Sequence, residues 1–285
     1  MPKLNDEPKI NVIPSENRPP DSRIKKMKYK HCMPSRNYLI LGRAGSGKSS
    51  FLYTLLTDVF VYGKNKKSVF DEMIILLGTQ DSVSSFQSIK CKNKVILHEF
   101  DADDFEEYLE DLKKHQMDKI ESGKPALNIC LVADDFVGEA LLKPSKNGKA
   151  PIIQRVMLTA RHELNMTVLL CSQIYKSNGL TNAGLRNNIH YYIVYALSRN
   201  DLEKFVDENC GFYQKDELIE HYMRIFQKPH NYGIVNYTKP EHLRYTEGFT
   251  KLLPPPRSME KSLVFKRDDD ESSLSSSDTE NVNVK

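Results

Sequence analysis

The stretch from Gly42 to Ser49 reads GRAGSGKS, and Ser50 follows it. It fits G-x-x-x-x-G-K-[ST], with Gly42, Gly47, Lys48 and Ser49 in the fixed places and Arg43, Ala44, Gly45 and Ser46 between the glycines. In a chain of this length those four positions match by chance on the order of once in a hundred. Glycines let a backbone wrap so that its N–H groups converge on a phosphate, and a helix start behind them adds positive potential. In such a loop Lys48 would bridge the β- and γ-phosphates and Ser49 would ligate Mg²⁺.

A second stretch, LVADDFVGEA from Leu131 to Ala140, supports two readings. An apolar strand ending in Asp134 and Asp135 is the metal-binding edge of an ATPase, whereas Asp135 to Gly138 spells D-x-x-G, the switch sequence of a GTPase. A GTPase also needs a guanine reader, an Asn or Thr, then Lys, any residue and Asp. TKPE (238–241) and NKVI (93–96) both lack the Asp. Lys48 and Asp134 lie 86 positions apart, and that interval holds two strand signals and a long helix. Such an insertion predicts the additional-strand class of P-loop ATPases, with a polar residue at the tip of the extra strand. TVLLCSQ supplies one, Gln173, whose amide can hold the attacking water or contact the γ-phosphate. On this reading ATP is the nucleotide, Asp134 the Mg²⁺ carboxylate and Asp135 the group that orients or deprotonates water. Aspartate is shorter than the glutamate common at that place, so Asp135 must sit close or act through a water.

These residues need a scaffold, and strand and helix signals alternate to provide one. NYLILG (37–42), DEMIILLG (71–78), KVILHEF (94–100), ALNICLVAD (126–134), MTVLLCS (166–172) and HYYIVYAL (190–197) read as strands. Helical runs lie between them, among them DADDFEEYLEDLKKHQMDKIES, with Phe105, Tyr108, Leu109 and Leu112 on one face, and a helix opening at Pro151. SRNDLEKFVDEN and QKDELIEHYMRIFQK predict two more helices, and YGIVNY and LRYTEGF two antiparallel edge strands. The expected fold is α/β, a P-loop NTPase three-layer sandwich around a mostly parallel sheet. Residues 34–250 form its ATPase domain, 1–33 a flexible basic arm, and 251–285 a Pro-rich then Ser- and acid-rich tail that cannot bury a core.

Net charge is only +3, which excludes a uniformly basic nucleic-acid binder and leaves local clusters to carry any such role. Five cysteines, none in a C-x-x-C pair, read as reduced thiols and predict a cytosolic or nuclear setting. No 18-residue apolar run or signal peptide occurs, so no integral membrane segment is expected.

The segment ARHELNMTVLLCSQIYKSNGLTNAGLRNNIHYYIVYAL, from Ala160 to Leu197, resembles a known family: the poxvirus- and virophage-type genome-packaging ATPases of large DNA viruses, within the FtsK–HerA superfamily. The matching features are an Arg-His pair, a strand ending in Gln, LRNN and another strand, extended by SRNDLEKF; the likeness covers roughly 37 to 250. The loop SNGLTNAG lacks a proline common in relatives, which leaves its local geometry open.

The resemblance implies a motor that hydrolyses ATP with Mg²⁺ and moves double-stranded DNA, without regard to sequence, into a preformed capsid. It implies a homo-oligomeric ring, usually a hexamer, in which a neighbour's arginine completes each site. Arg161 and Arg186 are the candidates, with Arg161 favoured as the trans finger and Arg186 as a sensor or DNA-facing group. Capsid or other virion-assembly proteins are the implied partners, and the host cytoplasm or the virion the implied location. Lys143, Lys146 and Lys149, after the acidic strand, and Arg23, Lys25, Lys26, Lys28 and Lys30 in the arm are candidate DNA contacts. The acidic tail from Asp268 to Glu271 would repel DNA and suits a partner or phosphorylation. A cellular or plasmid helicase or segregation motor shares the same core. A P-loop kinase would need lid arginines, which the 143–150 loop lacks.

Overall fold

A computed structural model of the chain describes residues 21–78, 83–97, 101–134, 150–175 and 183–258. Its α-helices are α1 (Ser22–Lys25), α2 (Lys48–Thr54), α3 (Val83–Gln87), α4 (Ala102–Glu121), α5 (Ile152–Glu163), α6 (Ala183–Arg186), α7 (Arg199–Asn209) and α8 (Lys215–Ile225). Its strands are β1 (Asn37–Leu41), β2 (Val61–Tyr62), β3 (Lys67–Ser68), β4 (Glu72–Leu77), β5 (Asn93–Leu97), β6 (Ile129–Asp134), β7 (Met166–Ser172), β8 (Tyr191–Val194), β9 (Gly233–Asn236), β10 (Tyr245–Glu247) and β11 (Lys251–Leu252). The fold is α/β with a mostly parallel sheet. The chain divides into two compact units. Among the described residues, one holds those of Ser49–Leu169 with those up to Arg36, the other Asn37–Lys48 with those from Leu170 on.

In the first unit β4 pairs in parallel with β5 on one side and β6 on the other, in a register that sets Glu72 against Asn93 and Ile129, and Leu77 against Asp134. Met73–Leu77 and Ile129–Val132 are fully buried, as expected of parallel strands covered on both faces. β6 is joined in turn to the start of β7, the Ile129 N–H donating to the Asn165 carbonyl. Asp101 caps α4 by accepting from the Asp103 and Asp104 N–H groups at 2.7 and 3.4 Å, and the acids of that first turn face the positive end of the helix dipole. The same helix buries Phe105, Leu109 and Leu112. Its buried Gln116 amide accepts from Leu127 N–H and donates to the Leu127 and Leu164 carbonyls, so one side chain satisfies backbone groups at the entry to β6 and the exit of α5.

Residues 21–33, within the stretch assigned to the arm, belong to the first unit. Arg23 forks to both oxygens of Asp71 at 2.8 Å and also binds Asp21, which itself caps α1 and accepts from Asn128 at 2.5 Å. Asp71 stands before β4 and Asn128 before β6, so the arm is tied to the starts of two core strands. Met27 is buried and bridges to Tyr62, and Cys32 is fully buried. The segment has no apolar period because charge pairing holds it, and periodicity is blind to that. Burial acts to raise the Asp21 pKa, yet the bonds and charge of Arg23, with Asn128, outweigh it and hold the carboxyl below the usual range.

In the second unit β1 pairs in parallel with β8, Tyr38 to Tyr191 through Leu41 to Val194, and β8, β9, β10 and β11 follow as antiparallel neighbours. On its other side β1 meets the end of β7, the Gly42 N–H donating to the Ser172 carbonyl at 3.1 Å. The strand closed by Gln173 is thus the neighbour of the phosphate-loop strand, as the additional-strand reading requires. Phe205 of α7 packs edge to face against Tyr175, against Tyr192 and against Tyr222 of α8, and Tyr175 meets Tyr192 in the same way. None of the five cysteines, all among the described residues, is in a disulfide; Cys32, Cys130 and Cys171 are buried. No helix among the described residues is long and apolar enough to cross a membrane.

Candidate functional site

The loop from Gly42 to Lys48 belongs wholly to the second unit, and its shape follows from a few bonds. Its start is stitched on both sides: Gly42 N–H to Ser172 O at 3.1 Å, and Arg43 N–H to Ala196 O at 3.2 Å. Ser46 N–H closes a turn onto Arg43 O at 3.2 Å. Gly45 and Gly47 adopt φ of 71° and 105°, values that side-chain-bearing residues rarely tolerate. A Cβ at Gly42 would stand 2.5 Å from Ser46 Oγ and 2.6 Å from Tyr195 Cβ, so the absent side chain is space the loop uses.

Lys48, the first residue of α2, is buried, and its ammonium donates to the Gly42 carbonyl at 2.9 Å and the Arg43 carbonyl at 3.2 Å. A cation is thereby held inside the curl of the loop. Ser46 Oγ is buried with no hydrogen-bond partner among the described residues. Positive charge, a glycine cradle and an unsatisfied hydroxyl form a donor set suited to a phosphate group. Arg43, Ala44 and Gly45 are exposed, and so are Ser49 and Ser50 on the first turn of α2.

In the first unit Asp134 ends β6 as a buried carboxylate, and its backbone carbonyl accepts from Gly78 N–H at 3.1 Å. Asp135 and the lysines at 143, 146 and 149 lie outside the described residues, as does the acidic tail. Gln173 is exposed at the bend that follows β7, a bend fixed by Ser172, whose hydroxyl donates to Ile174 O at 2.7 Å.

The two arginines differ sharply. Arg186 is buried and forks to Glu208 through Nε at 2.7 Å and Nη2 at 3.0 Å, with the Tyr175 hydroxyl donating to the same carboxylate at 2.7 Å. Arg161, in the last turn of α5, is half-buried; it forms no ion pair among the described residues, and its guanidinium reaches only His162 Nε2, at 3.5 Å.

Two features escape sequence reading. Tyr195, buried directly after β8, packs against both Gly42 and Gly47; burial pushes its hydroxyl pKa up, so it stays neutral. His230, in the turn between α8 and β9, lies 3.2 Å from the Ser46 carbonyl, though 184 positions separate them. No spacing rule links positions so distant.

The first unit also presents a basic surface. Lys26 and Lys28 of the arm and Lys64 and Lys66 of the β2–β3 turn line one cleft, with Tyr29 and Tyr62. Lys64 and Lys66 line an adjoining one with Tyr53 and Lys90. The acid among them, Asp58, is paired with Lys66.

Neither a protein-family model nor a curated protein sequence matches the chain. Among solved structures it is similar to EccC (ATPases 2 and 3) of Thermomonospora curvata, solved in complex with a signal sequence peptide. Identity there is 12% over 77% of this chain and 37% of that one, at a TM-score of 0.46. The cytoplasmic domain of the Type VII secretion ATPase EccC from the same organism gives 19% identity, 72% and 24% coverage and a TM-score of 0.44. EssC (ATPases 2 and 3) from Geobacillus thermodenitrificans gives 18%, 56% and 32%, and 0.40. The chain therefore spans about a third or less of the length of these structures.

Proposed function

We propose that the chain is a Mg²⁺-dependent ATPase that translocates double-stranded DNA, working as a homo-oligomeric ring that packages a viral genome. One observation carries the nucleotide half of this reading: the second unit curls GRAGSGK around a buried lysine ammonium and an unsatisfied Ser46 hydroxyl.

Each residue then has a task. Loop N–H groups and Lys48 bind the β- and γ-phosphates and offset their charge. Ser49 and Asp134 are the side chains that would hold Mg²⁺, which when bound neutralises phosphate charge. No cluster of three or more His, Cys, Asp or Glu able to hold a metal occurs among the described residues, and Mg²⁺ commonly rests on one or two protein groups together with substrate phosphates. Gln173 orients the attacking water and Asp135 accepts its proton. Arg161 is the better trans finger, since the Arg186 guanidinium is engaged by Glu208 within its own chain. The DNA half rests on the resemblance and gains support from the lysine-lined clefts, whose mixture of cations and tyrosines suits a phosphate backbone.

The decisive experiment measures ATP turnover with and without duplex DNA, alongside electron microscopy of the protein with duplex and a non-hydrolysable ATP analogue. Stimulation by duplex and a ring around it are expected. Turnover indifferent to DNA at every salt concentration would remove the translocation reading, and a tenfold preference for GTP would remove the ATP assignment.

A further inference from the structure

The geometry points to His230 as a positioning residue that braces the phosphate loop from its outer side, an inference that rests on the nucleotide-binding reading above. Three observations converge on it. His230 Nδ1 stands 3.2 Å from the Ser46 carbonyl oxygen, so a proton on that nitrogen is donated to the loop. The same ring covers Gly47, where an added Cβ would meet Nδ1 at 3.3 Å and the His230 Cβ at 3.8 Å. His230 itself holds φ at 60°, a left-handed conformation uncommon for a residue with a side chain. Strain of this kind persists only where the surroundings impose it.

The surroundings here are specific. The turn from Lys228 to Asn231 is closed by Asn231 N–H on Lys228 O at 3.2 Å, and β9 begins two residues later, paired with β8. β8 is the strand that pairs with β1, which leads into the loop, so the turn and the loop are carried by one set of strands. Tyr232, two residues beyond His230, packs its ring against Tyr195, the residue that also touches Gly47.

The chemical consequence follows from the peptide that His230 grips. The Ser46 carbonyl and the Gly47 N–H belong to one planar amide. A donor fixed on the oxygen holds that plane and polarises the N–H at its other end, strengthening it as a donor. Gly47 lacks any side chain to stabilise its own φ of 105°, so an external clamp is the means by which this amide keeps its direction. The imidazole need not touch the nucleotide; it acts through the loop.

Nucleotide affinity, read with a fluorescent ADP analogue on the full chain, tests this with three variants. His230→Gly permits the same φ and removes the donor; it is expected to weaken binding about five- to tenfold, the weight of one hydrogen bond, with the melting temperature of the nucleotide-free protein unchanged. His230→Asn tolerates positive φ and restores an N–H donor, so it should recover affinity to within about threefold of wild type. Lys48→Ala reports on the underlying reading and should lose binding altogether. If wild type and Lys48→Ala bind equally, or neither binds, the nucleotide reading fails and this inference with it. If Lys48→Ala abolishes binding while His230→Gly matches wild type, the inference alone is overturned. Failure of His230→Asn to recover any affinity, or a loss in His230→Gly that only follows a fall in melting temperature, equally overturns it.

Discussion

The Lys48 ammonium donates to the carbonyl of Gly42, six residues before it, at 2.9 Å. The loop is thus closed on itself by its own cation, and the charge that would meet a phosphate also helps to hold the loop's shape. Lys48→Met keeps the length and apolar stem of the side chain and deletes the charge together with its bonds to the Gly42 and Arg43 carbonyls. Nucleotide affinity should fall at least a hundredfold, consistent with the loss of a charge-assisted contact to a phosphate. Isothermal titration with ADP and Mg²⁺ checks this, and tight binding by Lys48→Met would leave the loop without its assigned role.

Two glycines of the loop should fail for different reasons. An alanine at Gly42 places its Cβ 2.6 Å from Tyr195 Cβ, an atom near the backbone that cannot swing away. Overpacking of that kind costs about 1–3 kcal/mol and should displace the loop. Gly45 has open space around it and only its φ of 71° resists a side chain. Gly45→Asn should therefore be nearly neutral in urea unfolding, while Gly42→Ala shifts the midpoint clearly. Equal behaviour of the two would show that close approach is not what Gly42 serves.

Arg186 and Arg161 separate cleanly on stability. Truncating Arg186 leaves Glu208 and the Tyr175 hydroxyl without their cation in a largely buried setting, a loss of about 2 kcal/mol once the partial exposure of Glu208 is allowed for. Arg161→Ala removes no such pair and should stay within about 0.5 kcal/mol of wild type. If Arg161 is the finger of a neighbouring subunit, its loss lowers ATP turnover by about 10³ or more and leaves ATP binding intact. A turnover loss found in Arg186→Ala and absent from Arg161→Ala, at matched stability, would exchange the two roles.

What the sequence disclosed, and what it hid, divides along the range of the forces involved. β4, β6 and β7 were legible because parallel strands buried on both faces must be apolar throughout, and GRAGSGKS was legible because loop, glycines and lysine are adjacent in the chain. α7 was legible in the run SRNDLEKFVDEN, and the structure adds its cap, the Ser198 hydroxyl accepting from the Asp201 N–H at 3.1 Å. The Tyr195 wall, the His230 contact and the meeting of Lys26 and Lys28 with Lys64 and Lys66 are products of topology, and no local pattern encodes them. The β2–β3 hairpin was missed because two-residue strands leave no period to detect.

The docked arm supplies a pH-dependent prediction. Arg23, Asp21 and Asp71 are each less than a third exposed, so their network is sheltered enough to contribute. Arg23→Ala should cost about 1–2 kcal/mol at neutral pH, measured by urea unfolding. The sign with pH is set by Asp21, whose folded-state pKa is lowered. A depressed carboxyl contributes stability that is present above its unfolded pKa, near 4, and is lost as pH falls through the folded value. The Arg23 pKa is raised from an already high value, chiefly by its bonds to Asp71, so no loss is expected on the alkaline side below pH 10. Wild type and Arg23→Ala should therefore differ most between pH 6 and 8 and converge toward pH 3. A gap that persists undiminished at pH 3 would mean that the arm is held by Met27 and Cys32 packing and not by the ion pair.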